Sequence, residues 1–439
     1  DRQWIAQDLP SAAFHEKWFI KLKEVIDAYR PDYIWFDFGL AFINDFYQRK
    51  FLTYYRDMAE KNRQAGKKLL ATGNGRCNFT NRRQELSCYR GEHPQLIKKV
   101  LEAFSAEDTV AFFEELGILV KDRNGYLYPN SGQASSIADA LRLEVQRLAR
   151  EHLIKEAYNT EVLAVEKQGR VFKVRTEGWT CESEAVILAC GSEAGPKTGS
   201  TGDGYRFARE LGHQVIRPLP ALTGVYAREA DRGTLAGVRM DARVTLWIDE
   251  ELCIAEEGEV QFASYGLSGI PVFQVSRYVS RALEEGRTCR MDLDVCPAYT
   301  AEELEAVFVK RGERMKDRKG TEILIGMFPE KLSQVLLGRA GISLKKSRRD
   351  WTARDCRRLA GQIKKLSFQI FGCRGYEQAQ VCTGGVPLSE LKGISMESVI
   401  IPGLYFAGEL LDVDGACGGY NLQWAWSSGF LAGTHAAGS

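Results

Sequence analysis

Three glycine-rich stretches in this chain carry residue types suited to binding a phosphate-bearing or redox-active ligand. "KKLLATGNGRCNFTN" (67–81) sets Lys67 and Lys68 beside a loop spaced by Gly73 and Gly75 and followed by Arg76 and Cys77. Glycine frees backbone N–H groups and the cations add charge, which together suit a pyrophosphate. "AVILACGSEAGPKTGSTGDGYRFARELG" (185–212) reads as a buried strand ending at Gly191, a glycine-rich loop and a helix. Thr201 and Asp203 stand where that helix begins, so capping competes with a ligand role. "GLYFAGELLDVDGACGGYNLQWAWSSG" (403–429) reads strand, acidic loop, Gly-Gly, helix. Gly408 permits close backbone approach, and Glu409, Asp412 and Asp414 offer carboxylates to hydroxyls. Gly418 and Gly419 open a helix whose N–H groups carry partial positive charge. Such an end suits a flavin ring that gains negative charge on reduction. A tight strand–helix turn with solvated acids is the competing reading.

The rest of the chain bounds the chemistry. Its 439 residues suffice for two or three domains. The 59 Lys and Arg against 58 Asp and Glu leave a net charge of +1, which gives no electrostatic case for nucleic acid or an anionic membrane. A small-molecule substrate is the expected partner, and oligomeric state is left open. No apolar run reaches a membrane-spanning length, and no signal peptide is visible. Eleven scattered cysteines point to a reducing cytoplasm rather than a disulfide framework. Five histidines and no CxxC pair argue against a metal site.

The elements that must hold these stretches alternate between helical and strand patterning. Residues 93–117 and 126–152 predict a helix and a loop followed by a long amphipathic helix. Residues 156–192 alternate with period two, which predicts a three-stranded meander and then a buried strand. The stretch 213–298 is strand-rich and predicts a second, antiparallel domain, a barrel by its texture. Residues 300–366 turn helical and heavily charged, and strand–glycine–helix texture returns after 368. The expected organisation is α/β, with segments 61–200 and 368–439 forming one domain, 201–299 a barrel-like domain and 300–367 a helical subdomain.

From about Glu60 onward the chain resembles the bacterial aminoacetone-oxidase-like flavoproteins, which include the 3-dehydro-bile-acid Δ4,6-reductase type. The resemblance rests on "GKKLLATGNGRCNFTN", "YLYPNSGQASSIADAL", "VILACGS", "GSTGDGY", "TGGVPL" and the 403–429 stretch. It implies a split, Rossmann-like FAD domain of glutathione-reductase type interrupted by a β-barrel and a helical subdomain. It also implies an oxidoreductase reducing a small or steroid-like carbonyl or enone, with NAD(P)H as electron donor. Carried over by residue, Glu60 meets the adenosine ribose, Gly73, Gly75, Arg76 and Cys77 line the FAD channel, and Val162 offers its backbone to adenine. Gly191, Thr201, Gly408, Glu409, Asp412, Gly419, Tyr420 and Asn421 surround the ribityl chain and flavin, and Tyr420 is the candidate proton donor. Cys190 departs from the usual Thr.

Such a family should open with a strand, GxGxxG, a helix and a strand ending in Glu. Here the turn falls on Asp37-Phe38-Gly39-Leu40-Ala41-Phe42, and only Gly39 matches. Residues 1–60 resemble instead a helix–strand unit of the α-L-fucosidases of glycoside hydrolase family 29, with Asp37 in "WFD" at the nucleophile position. One such unit supplies neither the second carboxylate nor the barrel a retaining glycosidase needs. The chain therefore reads as a chimera whose FAD binding is weakened by loss of the first glycine turn. A non-functional chimera and a fucosidase fragment are the alternatives.

Overall fold

The computed structural model describes residues 67–158, 160–229 and 231–438. Glu60, Asp37 and the whole fucosidase-like segment lie outside the described residues. A short helix, Lys67–Ala71, and a tight turn, Thr72–Gly75, lead into the strand Thr80–Asn81. That strand pairs antiparallel with Tyr126–Pro129, which in turn pairs with Val120–Arg123. The sequence pattern predicts a loop over Tyr126–Pro129, and the structure has a strand there. Leu127 and Pro129 point into the core while Tyr126 stays exposed, which is the two-residue period of a half-buried strand.

The single helix expected over 93–117 is two, α1 (Pro94–Ala103) and α2 (Ala106–Glu115). Ser105 breaks them. Its hydroxyl accepts the Asp108 N–H at 3.2 Å while the Asp108 carboxylate accepts the Ser105 N–H at 2.8 Å. This reciprocal cap satisfies amides that would otherwise be orphaned and starts a new helix. The expected amphipathic helix forms as α3 (Ala134–Arg150).

Strands β1 (Val162–Gln168), β2 (Val171–Thr176) and β3 (Thr180–Ser183) form an antiparallel meander, followed by β4 (Val186–Leu188) and helix α4 (Asp203–Glu210). Six further strands close into a barrel: β5 (Val225–Ala227), β6 (Arg239–Ile248), β7 (Glu251–Ala263), β8 (Gly266–Gly269), β9 (Cys289–Asp294) and β10 (Leu366–Cys373). Their order around it is β5-β8-β7-β6-β9-β10. Closure leaves no free edge, and the inward residues Val244, Leu246, Val260, Phe262, Met291 and Phe368 are almost wholly buried. Between β8 and β9 runs α5 (Ile270–Glu284), a helix not separated from the strand-rich texture in the sequence. Helices α6 (Ala301–Arg314), α7 (Glu330–Arg339) and α8 (Ala353–Lys364) precede β10 and share the barrel's core. The barrel thus takes in β10, beyond the 201–299 stretch, while α4 packs Tyr205, Phe207 and Ala208 into the other core.

That other core forms around β11 (Leu404–Phe406) and α9 (Tyr420–Ala437). Leu404, Phe406 and Trp424 are at most 1 % exposed, and each fully buried side chain of this size stabilises the fold by roughly 1.5–3 kcal/mol. Strand β11 pairs with β4, and the pairing is parallel. Among the described residues no helix is long and apolar enough to cross a membrane.

Candidate functional site

Val186, Ile187 and Leu188 of β4 stand opposite Leu404, Tyr405 and Phe406 of β11, and the Ala407 N–H donates to the Leu188 carbonyl at 3.1 Å. Both segments leave the pair at the same end. Each then turns on a glycine, Gly191 at φ +75° and Gly408 at φ +69°. The carboxyl ends of parallel strands are where open α/β sheets take ligands. A Cβ at Gly191 would stand 2.6 Å from the Ser200 Oγ, so a side chain there would have to displace the hydroxyl from its 2.6 Å bond to the Ser192 carbonyl.

Glu409 follows Gly408. Its carboxylate receives the Lys68 ammonium and, at 2.9 Å, the Ser192 hydroxyl. Lys68 also donates to the Ala194 carbonyl at 3.3 Å, and the Tyr205 hydroxyl donates to the Glu409 carbonyl at 3.3 Å. One residue from each glycine-rich stretch, Lys68, Ser192 and Glu409, therefore meets at the strand ends. Thr201 is exposed and turns its hydroxyl onto the Asp203 carboxylate. The cap position of α4 is Gly202, with no side-chain cap bond, so Asp203 is not the cap but the first helical residue.

The acidic loop is held from the barrel side. Asp414 is buried and takes Arg277 through two bonds of 2.7 and 2.9 Å. Asp412 accepts the Gly384 N–H at 2.9 Å and faces Arg281 at 3.6 Å. Burial pushes its carboxyl above the usual range, with Arg281 opposing and Asp414 adding to the rise. The Cys417 N–H donates to the Gln274 side chain at 2.9 Å. Gln274, Arg277 and Arg281 share one face of α5 by their spacing. These are functional neighbours that sequence reasoning missed; the i, i+3, i+7 spacing of two arginines and a glutamine was the available signal.

Helix α9 opens at Gly419, φ +91°, without a side-chain cap. A Cβ there would lie 2.7 Å from the Thr80 backbone, so glycine is needed for close passage as well as for φ. Asn421 closes the turn: its side chain accepts from the Gly415 N–H at 2.7 Å and donates to the Gly415 carbonyl at 2.9 Å. Tyr420 packs its ring in the core, edge-on to Tyr89 with centroids 5.6 Å apart. Burial, then the neighbouring Cys88, pushes its phenol well above the ordinary value. That placement favours a packing role over the expected proton donor.

Gly73 and Gly75 lie in the Thr72–Gly75 turn, and Arg76 is exposed beside the Tyr128 phenol. Cys77 is fully buried at φ +51°, and burial pushes its thiol to about 11. The next residue, Asn78, buries a side-chain oxygen that has no hydrogen-bond partner among the described residues. An unpaired buried acceptor costs about 1–3 kcal/mol, which a ligand donor would relieve. Val162 opens β1 opposite Thr176. A cleft of about 730 Å³ follows it, lined by Leu163, Val165, Arg175, Glu210 and Gly212 among others; none of Gly191, Gly408, Glu409 or Asp412 lines it.

Two glycine turns at the carboxyl ends of adjacent parallel strands, with the barrel between the strands in sequence, give the site an α/β setting. The chain belongs to the HI0933-like family: the model of the HI0933-like protein Rossmann domain matches residues 53–435. The chain is 38% identical over 378 residues to a 3-dehydro-bile acid delta(4,6)-reductase of Clostridium scindens, covering 86% of this chain and 91% of that protein. It is 29% identical over 376 residues to a ribosomal RNA dihydrouridine synthase of Haemophilus influenzae, covering 84% and 90%. To the ribosomal RNA dihydrouridine synthase of Escherichia coli it is 30% identical over 380 residues, covering 84% and 89%. The family match begins inside segment 1–60, and the fucosidase resemblance of that segment gains no support from these relatives.

Proposed function

We propose that the protein is a FAD-dependent oxidoreductase that saturates a carbon–carbon double bond conjugated to a carbonyl, with NAD(P)H as electron donor. The observation that carries this reading is the meeting of Lys68, Ser192 and Glu409 at the carboxyl ends of β4 and β11. The relatives' names support the reaction type. A delta(4,6)-reductase acting on a 3-dehydro acid and a dihydrouridine synthase both name hydrogen added across a ring double bond near a carbonyl.

When bound, the flavin supplies the hydride. The residues present fit such a group. Gly191 and Gly408 would let backbone approach it, Glu409 would accept from a ligand hydroxyl, and the Asn78 oxygen, unpartnered among the described residues, would take a ligand donor. Lys68 holds Glu409 until a ligand hydroxyl shares that carboxylate. The glycine-capped start of α9 favours negative charge at the ring. In this reading the FAD domain draws on 61–200 and 368–439, with barrel and helical parts between them. The substrate is a small or steroid-like enone. Eleven free cysteines suit a reducing, cytoplasmic setting. The alternatives drawn from residues 1–60, a fucosidase fragment or an inactive chimera, have no observation in their favour.

The test is anaerobic turnover. Protein supplied with FAD should oxidise NADH or NADPH in step with loss of the enone absorbance of a 4-en-3-one steroid. Donor oxidation with the enone unchanged contradicts the substrate class; no donor oxidation contradicts the redox reading.

A further inference from the structure

Saturating a conjugated double bond takes two deliveries. A hydride arrives with its electron pair at the carbon β to the carbonyl, and a proton arrives at the α carbon. NAD(P)H is the source of the first. Tyr420, packed in the core, leaves the second without a donor.

The barrel brings an acid to the same place. Along β7, Ile254, Glu256, Gly258, Val260 and Phe262 fall on one face by the two-residue period. Glu256 stands opposite Val244, Ile254 opposite Leu246 and Gly258 opposite Ala242, and these three partners are at most 1 % exposed. Glu256 is thus the one carboxyl in an apolar row. The adjacent Glu257 falls on the other face and pairs with Arg243 at 3.6 Å. Glu256 is half-buried and makes no hydrogen bond or ion pair among the described residues. Burial raises its carboxyl pKa, with Arg90 opposing, because a half-dry site disfavours an unpaired charge.

Glu256 adjoins the start of α9. The strand Tyr89–Arg90 pairs with Asp414–Gly415, which sets Arg90 beside the acidic loop. One Arg90 nitrogen donates to the Cys88 carbonyl at 2.9 Å, while its Nε is buried without a partner among the described residues. Both side chains act on the Cys417 thiol: burial raises it most, Arg90 opposes and Glu256 adds to the rise. Cys417 directly precedes the Gly418-Gly419 opening of α9, and Gln274 of α5 holds its N–H. The nearby Arg277 is committed to Asp414. A carboxyl and a guanidinium edge, both left unpartnered, therefore come together where the barrel meets the helix start read above as favouring charge on the ring. Such groups cost stability unless a ligand engages them.

Resting on the reductase reading above, we infer that Glu256 is the catalytic acid, giving its proton to the α carbon of the conjugated carbonyl substrate from the barrel side. The Glu256 O–H bond breaks as the α-carbon–hydrogen bond forms, with the electron pair drawn from the carbon–carbon double bond. The carboxylate left behind is stabilised by Arg90 until water returns a proton, and half-burial leaves water that access.

The experiment compares FAD-loaded wild type with Glu256→Gln, Glu256→Asp and the outward-facing control Glu257→Gln, using the 4-en-3-one steroid. Bleaching of the flavin by NAD(P)H without steroid needs no proton at the α carbon and should be equal in all four. The kcat for enone loss should fall at least about a hundredfold in Glu256→Gln, with KM little changed, and recover in part in Glu256→Asp. A second readout uses the proteins as purified, with no donor or steroid. The infrared band of protonated carboxyl groups, followed from acid to neutral pH, should keep a component that outlasts the rest. Part of that component should vanish in Glu256→Gln, another part in Asp412→Asn, and none in Glu257→Gln. Glu256→Leu, which matches the apolar row, takes the place of the Gln form if that form does not fold, with the same expectations. A wild type that bleaches but spares the enone overturns the reaction itself and the acid with it. Full enone turnover in the folded variant, slowed bleaching in it, or an unchanged infrared component overturns the assignment of Glu256 alone.

Discussion

Lys68 and Glu409, 341 positions apart, form an ion pair at the carboxyl ends of β4 and β11. Their side chains are 32% and 18% exposed, so solvent screens the pair only in part. Replacing Lys68 by Met should lower stability by about 1 kcal/mol, near the upper end for pairs that retain water contact. The urea midpoint should fall with the slope unchanged, and Lys68→Arg should restore most of the loss. An unchanged midpoint would mean that the two groups do not pair.

The Arg277–Asp414 pair should matter more. Asp414 is 3% exposed and Arg277 16%, and the pair ties the acidic loop to α5. Removing one partner of a buried pair strands the other, at a cost of about 3–5 kcal/mol. Arg277→Met should therefore destabilise far more than Arg287→Met, whose partner Asp249 lies at the surface. Equal thermal shifts in the two variants would contradict the buried tether.

Asp412 sets a pH dependence of definite sign. Burial raises its carboxyl pKa above the unfolded value of about 3.9. The native state then binds the proton more tightly than the unfolded chain. This contribution to stability is full at low pH and is lost as pH rises from the unfolded value through the raised native one. Asp412→Asn removes that slope. Unfolding free energies of the two proteins should converge toward pH 4 and diverge above it, with the Asn form gaining on the wild type. Parallel curves would show that Asp412 titrates normally.

Two glycines in the C-terminal region should respond oppositely to alanine. At Gly419 the left-handed φ costs roughly 1–2 kcal/mol, and the contact of 2.7 Å with the Thr80 backbone adds to it. At Gly433, inside α9, nothing lies within 4 Å of a Cβ. Gly433→Ala should stabilise by about 0.4–1 kcal/mol, and Gly419→Ala should lose more than about 2 kcal/mol. Calorimetric melting of both variants checks the sign; a neutral Gly419→Ala would sink the close-passage argument.

The three glycine-rich stretches were legible because turns with positive φ and strand–helix junctions leave local marks. The meander and the barrel's strand texture were legible by their period. What the sequence hid was non-local. Nothing near Lys68 announces Glu409, and nothing near Asp414 announces Arg277, because neither pair shares an element. The Ser105 break was readable as Ser-x-x-Asp but lay inside an unbroken apolar period. Tyr420 and Asn421 look like site residues by position, yet the fold spends one on core packing and the other on closing the Gly415 turn.

The central claim is that the ends of β4 and β11 hold a flavin, and FAD titration by fluorescence quenching tests it most directly. The wild type should quench FAD saturably, with weak affinity because no GxGxxG turn is present in the sequence. Gly191→Val, which drives a side chain against Ser200, and the milder Glu409→Gln should each weaken binding at least tenfold while circular dichroism shows the fold retained. Absence of saturable quenching by the wild type, or the same affinity in both folded variants, would contradict the account.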